Sequence, residues 1–219
     1  MDKQKKFAVV LSGCGVFDGS EIHETVMTLY AIVKHGGKYE LFAPDIPHYH
    51  VINHIKGQES GETRNVLVES ARIGRGNVKP LSKFDATQYD GLIFPGGFGA
   101  AKNLSDYAFK RSNCTVNKEV SSAINTMVKL KKPIGALCIA PVIIAKVLGH
   151  VKLTVGSDSS TINELEAMGA THQVTTHGEV VVDDVLKVVS SPCYMLDANI
   201  VQIEKGTENV VINMMKLMD

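Results

Sequence analysis

Ile134-Gly135-Ala136-Leu137-Cys138-Ile139-Ala140-Pro141 passes from a short apolar run directly into a helical pattern. Apolar residues in an unbroken run, stopped by a turn, read as a strand buried on both faces. Cys138 stands at the junction, with Ala136 and Ala140 two positions to either side. A sharp strand-to-helix turn that projects a nucleophile needs small residues there, because bulky side chains collide across the elbow. A thiol so placed also meets a helix N-terminus, whose positive potential favours thiolate. The competing reading is a buried structural cysteine, which behaves as a small hydrophobe.

The same strand–helix alternation extends outward in both directions. Residues 7–11 form a buried strand, followed by a turn-rich stretch and a helix from Ser20 to the Gly36-Gly37 pair, a C-cap signal. A strand at 39–43, a helix over 63–75 and a strand at 91–94 that stops at Pro95 come next. A helix over 116–130 then leads into the strand at 134–137. Val180-Val181-Val182 and Val188-Val189 flank Asp183-Asp184 as a hairpin, and a closing helix runs from Met195. Strand, crossover helix, strand, repeated, predicts a mostly parallel sheet covered by helices on both faces. No linker, repeat or low-complexity segment divides the chain, so one α/β domain over 1–219 is expected.

Composition narrows the partners. Among 219 residues, Lys plus Arg and Asp plus Glu are 23 each, so the formal net charge is zero. Such a chain has no electrostatic reason to bind nucleic acid or an anionic membrane, and a small ligand is expected instead. Cys14, Cys114, Cys138 and Cys193 are widely spaced, with no Cys-x-x-Cys pair for zinc or a redox dithiol. The N-terminus lacks a secretory signal pattern, and Lys146 interrupts the longest apolar run, so no membrane span is expected. Free thiols in a reducing compartment, the cytoplasm, are the expectation.

In open α/β sheets ligands bind beyond the carboxyl ends of the strands. The turns at 12–24, 95–102 and 138–141 are therefore the places for a site. Pro95-Gly96-Gly97-Phe98-Gly99 brings backbone N–H groups close to a substrate oxygen, as an oxyanion hole requires. Its spacing matches neither a phosphate loop nor a dinucleotide fingerprint. In the first turn Asp18, Ser20 and Glu21 can cap the following helix, and Glu24 lies one turn inside it. A carboxylate held near Cys138 could shuttle a proton, although acidic residues favour helix N-termini in any case. His48, His50 and His54 match no recognised metal-ligand spacing and read as a polar surface loop. Arg64, Arg72 and Arg75 read as a solvated face, with one arginine able to reach a substrate carboxylate.

Taken in this order, the strand, the Glu-bearing helix, the Pro-Gly-Gly turn and the cysteine elbow resemble the Parkinsonism-associated deglycase and PfpI superfamily. The similarity is closer to its ElbB branch of isoprenoid-biosynthesis proteins and glyoxalases. It rests on Leu11-Ser12-Gly13-Cys14-Gly15-Val16-Phe17-Asp18-Gly19-Ser20-Glu21-Ile22-His23-Glu24, on Thr63-Arg64-Asn65-Val66-Leu67, on residues 95–104 and on Cys138-Ile139-Ala140-Pro141. The resemblance implies a flavodoxin-like three-layer sandwich of the class I glutamine amidotransferase type. It further implies Cys138 as nucleophile, Glu24 as its hydrogen-bonded carboxylate, Gly97 and Ile139 N–H as oxyanion donors, and substrate contacts from Gly96, Asn103 and Arg64. A cofactor-independent glyoxalase or deglycase acting on glyoxal-type 2-oxoaldehydes is implied, without metal and as a homodimer. The alternative is a redox-sensing or partner-binding protein with an oxidisable Cys138. There is one departure. The segment 153–158, where many superfamily members carry a histidine, holds none, and Gly156 takes that place. His172 and His177 lie further on, and an amidotransferase-like hydrolase is disfavoured without a Cys–His pair.

Overall fold

The computed structural model describes residues 4–218. Its centre is a sheet of β1 (Lys6–Val10), β2 (Lys38–Ala43), β3 (Lys79–Pro80), β4 (Gly91–Phe94), β5 (Ile134–Leu137), β6 (Val181–Asp183) and β7 (Val188–Ser191). The seven strands lie in the order β6-β7-β5-β4-β1-β2-β3. All neighbours are parallel except β6 and β7, the expected hairpin.

Alternation along each strand divides the interior in two. Phe7, Val9 and Leu11 point to one face, packed with Ile93, Leu137 and the helices α1 (Ile22–Lys34), α2 (Val66–Ile73) and α8 (Ile200–Leu217). Ala8, Val10, Leu92 and Phe94 point to the other. That face carries α3 (Phe98–Lys102), α4 (Tyr107–Lys110), α5 (Lys118–Lys129), α6 (Pro141–Leu148) and α7 (Ser159–Ala167). Strands covered on both sides must be apolar at every position, and β4 and β5 are buried throughout. The three-layer sandwich expected from the chain is therefore present.

Among the described residues, five of the eight α-helices start at a side-chain cap. Asn65 accepts from Val68 N–H, so α2 starts at Val66, three residues after the expected Thr63. Asn199 and Gln202 form a capping box that starts α8 five residues later than expected, because Cys193–Met195 is spent on a separate single 3-10 turn. Asp158 caps α7, a helix the hydrophobic pattern did not reveal. The short edge strand β3 and the hairpin Ile52–Asn53 with Gln58–Glu59 were equally unsignalled.

β1 pairs with β2 on one side and β4 on the other, so the strand order reverses there. A crevice outside the carboxyl ends of the strands at such a point is where ligands bind. The turns after β1, β4 and β5 converge on it.

Candidate active site

Cys138 has φ +56° and is one of the few non-glycine residues in left-handed backbone. Such a conformation costs about 1–3 kcal/mol and persists only when the surroundings enforce it. They do so here: Cys138 N–H donates to Ser191 O at 3.0 Å, tying the elbow to the end of β7. Helix α6 begins only at Pro141, so the thiol stands one turn before it rather than in its first turn.

Gly96 lies against the elbow. A Cβ there would be 2.4 Å from Cys138 Cβ and 2.5 Å from Glu24 Oε2, so any side chain would displace the thiol or the carboxyl. Gly96 N–H donates to Glu24 Oε2 at 2.9 Å, and Tyr194 N–H donates to Oε1 at 3.2 Å. Glu24 is wholly buried in the first turn of α1 and is a hydrogen-bond partner of the Cys138 thiol. Glu21 instead caps α1, accepting from Glu24 N–H at 2.7 Å, while its own N–H donates to Gly96 O at 2.9 Å. The glycine turn and the start of α1 thus hold each other.

Burial first, and Glu21 second, push the Glu24 carboxyl up to about 8. The Cys138 thiol is pushed well above its ordinary value, by burial first and by Glu24 second. The N–H groups of Gly97 and Ile139 both point at the sulfur and pull the other way. This corrects the expectation of a low-pKa thiolate: desolvation outweighs the helix N-terminus that spacing placed beside the sulfur. At neutral pH the pair keeps its protons, and thiolate forms only as a proton is handed on.

The thiol opens into a cavity of about 470 Å³ whose walls include Gly97, Phe98, Tyr107, Arg111, Ile139 and Tyr194. Among the described residues that line it there is no histidine. His172 Nε2 accepts from Val155 N–H at 3.1 Å, and His177 Nε2 donates to Asp197 O at 2.9 Å, so both are turned to other partners. Gly156 has φ +84°, and a Cβ on it would meet Leu196 at 2.9 Å; this backbone has no room for an imidazole.

None of the three expected substrate contacts lines the cavity, and Gly96 has its N–H on Glu24 and its carbonyl on Glu21 N–H. Arg64 is paired with Glu62 at 2.7 Å and Glu69 at 3.2 Å and does not line the cavity. Asn103 is buried and structural: its Nδ2 donates to Ser12 O and Asp18 O, its Oδ1 accepts from Tyr49 N–H, and it fixes the loop after β1. The three loop histidines also part company. His48 packs on Gly13, His50 pairs with Glu59 at 2.8 Å, and His54 accepts from Phe17 N–H. Among the described residues no group of His, Cys, Asp and Glu is placed to hold a metal. The cavity residues that sequence reasoning missed are Tyr107, Arg111 and Tyr194. Tyr194 follows a parallel strand's carboxyl end, a place the general rule would have flagged; Tyr107 and Arg111 carried no signal.

No family model matches the chain. It is 45% identical over 222 residues to the human glutamine amidotransferase-like class 1 domain-containing protein 3, mitochondrial, covering 97% of this chain and 83% of that one. It is 44% identical to the rat ES1 protein homolog, mitochondrial, covering 97% and 84%. The solved structure of an isoprenoid biosynthesis protein with amidotransferase-like domain from Ehrlichia chaffeensis superposes with a TM-score of 0.90 at 34% identity, over 96% of this chain and 99% of that one. The chain belongs to the ES1 and ElbB-like family of class 1 glutamine amidotransferase-like proteins. Glyoxalase III from Candida albicans, at 15% identity, TM-score 0.62 and 98% of both chains, shares the fold of this ES1-type chain. The names of both ES1-family relatives place them in mitochondria, which overturns the expectation of a cytoplasmic protein. Free cysteines report a reducing compartment, and the cytosol is not the only one.

Proposed function

We propose that this ES1-family chain is a cofactor-independent glyoxalase that converts 2-oxoaldehydes to 2-hydroxy acids through Cys138. One observation carries the reading: a buried carboxyl with a pKa of about 8 and two backbone N–H donors converge on a single thiol. The thiol adds across the aldehyde C=O, forming the S–C bond while its proton passes by way of Glu24 to the carbonyl oxygen. Gly97 and Ile139 N–H hold the oxygen as it becomes an anion. Glu24, which ends this relay as the carboxylate that a pKa of about 8 leaves available near neutrality, takes the proton from the former aldehyde carbon and returns it to the neighbouring carbon, while the hydroxyl proton on the first carbon's oxygen moves to the oxygen of the second. The first carbon is oxidised by the two electrons that reduce the second, so no external oxidant is needed. Water cleaves the resulting thioester, releasing a 2-hydroxy acid and restoring the thiol.

A carboxyl poised near neutrality can serve both as base and as acid. The cavity offers no imidazole to assist, and well-placed acid–base help is worth about 10²–10⁴-fold. Turnover is therefore expected to be slow, and amide hydrolysis undetectable. A steady-state assay with glyoxal and methylglyoxal, reading glycolate and lactate, tests the proposal. The wild type should form both, Cys138→Ala should fall to the buffer background, and glutamine should not be hydrolysed. Equal turnover by Cys138→Ala would remove the proposal. The lack of an imidazole favours a second reading, reversible oxidation of Cys138 in a sensing role. It predicts no turnover, and sulfenate on Cys138 after dilute peroxide.

A further inference from the structure

The cavity at Cys138, about 470 Å³, falls within the range of small-molecule pockets and is far larger than glyoxal needs. Part of its wall comes from α4 and the 3-10 turn Arg111–Asn113 that follows. Tyr107 is 2% exposed, yet its hydroxyl is buried without a hydrogen-bond partner. The Arg111 guanidinium and the Thr161 hydroxyl face it, but neither makes a hydrogen bond of normal geometry with it. The Thr161 hydroxyl is committed to Asp158 Oδ2 at 2.6 Å. Buried hydroxyls are rarely kept without a protein partner unless a ligand or solvent uses them.

Arg111 supplies the matching charge. It sits at the cavity rim on left-handed backbone, φ 52° and ψ −134°, a conformation that an L-residue adopts at a cost. Among the described residues the arginine ion pairs within 4 Å are those of Arg64 and Arg72, which leaves Arg111 without one. Asp158 on the same wall attracts it through space. However, the Asp158 carboxylate is already engaged as the cap of α7, accepting from Thr161 N–H at 2.8 Å as well as from the Thr161 hydroxyl. Arg111 and Tyr107 both line the cavity, and a guanidinium beside a phenol hydroxyl, both donors, suits a carboxylate.

We infer that the substrate carries a carboxylate, which Arg111 and Tyr107 hold while its aldehyde carbon meets Cys138. The reaction rests on the glyoxalase reading, whereas the binding stands without it. The preferred substrate class is a 2-oxoaldehyde with an acidic tail, with glyoxal and methylglyoxal turned over less well. The carboxylate of the product arises at Cys138 from any 2-oxoaldehyde, so only the tail distinguishes the two cases.

The probes are 4,5-dioxopentanoate and its methyl ester, which differ in the charge of the tail. In the wild type the acid should be preferred in kcat/KM by about 10- to 100-fold, the range expected of one charge-assisted contact. The preference should reside mainly in KM and weaken with added salt. Arg111→Gln should bring the ratio to within about threefold of one, Arg111→Lys should retain part of it, and Tyr107→Phe should lower it. Circular dichroism of each variant confirms folding. A binding measurement separates this inference from the reaction: calorimetric titration with 4-oxopentanoate and its methyl ester, which lack the aldehyde. Preferential binding of the acid that is lost in Arg111→Gln supports the inference even if nothing is turned over. No preference in the wild type, or a preference that survives Arg111→Gln and Arg111→Lys alike, overturns it even if methylglyoxal is a good substrate.

Discussion

Gly97→Ala is expected to cost at least about 3 kcal/mol of folding stability, which at this chain length lowers Tm by about 6–12 °C. Gly97 has φ +94° and ψ 155°, a backbone region open essentially to glycine alone. There is also no space. A Cβ would stand 2.4 Å from Glu21 N and 2.4 Å from Gly19 O, both main-chain atoms that cannot swing aside. The clash would separate the turn after β4 from the start of α1, and Glu24 would lose its seat on Gly96. Gly57→Ala is the control: φ is +64°, but nothing lies within 4 Å of the added methyl. It should cost only about 1–2 kcal/mol. Thermal melts of the two variants compare strain plus clash with strain alone. Equal losses would mean that the two loops do not pack as described.

Glu24→Gln should flatten the dependence of stability on pH. In the folded chain the Glu24 carboxyl is raised to about 8, while in the unfolded chain it titrates near about 4.3. Between those values the native state binds a proton that the unfolded state has released, so stability falls as pH rises. The contribution is whole below about pH 4 and lost by about pH 8, on the order of 5 kcal/mol across the window. Glutamine has no proton to lose, so its slope should be shallower by that amount. It also has a cost. Both carboxyl oxygens accept backbone N–H groups, from Gly96 and Tyr194, and an amide nitrogen must leave one of them unsatisfied. At pH 5 the variant should therefore be about 1–3 kcal/mol less stable than the wild type, and the two curves should converge or cross by pH 8. Urea denaturation at pH 5, 6, 7 and 8 reads both effects. Parallel curves would show that Glu24 is ionised throughout and cannot be the proton carrier.

The parts of this site that were legible in the chain are those set by local sterics. Small residues flank Cys138 because the elbow is tight, consecutive glycines mark where main chain meets main chain, and Glu24 lies three residues beyond the capping Glu21, in the first turn of its helix. What was not legible depends on contacts distant in sequence. Arg64 was expected at the substrate, but Glu62 and Glu69 hold it elsewhere. Asn103 supports the loop after β1 across 91 residues of chain. Arg111 and Tyr107 reach the cavity only because a short irregular stretch, with no periodicity to read, folds over it. The protonation state was misjudged for a related reason. Spacing shows the helix behind Cys138 but not how completely the thiol and the carboxyl are buried together.

The central claim is that Cys138 bonds to the substrate and Glu24 moves the proton that follows. Carbon-13 NMR of methylglyoxal labelled at the aldehyde carbon, incubated with wild type, Glu24→Gln and Cys138→Ala, tests it most directly. The wild type should carry the label into the lactate carboxyl. Glu24→Gln should hold it as a sulfur-bound carbon with little lactate, about 10²–10⁴-fold slower. Cys138→Ala should show neither species. Lactate formed by Cys138→Ala at the wild-type rate would contradict the account, as would Glu24→Gln turning over as fast as the wild type.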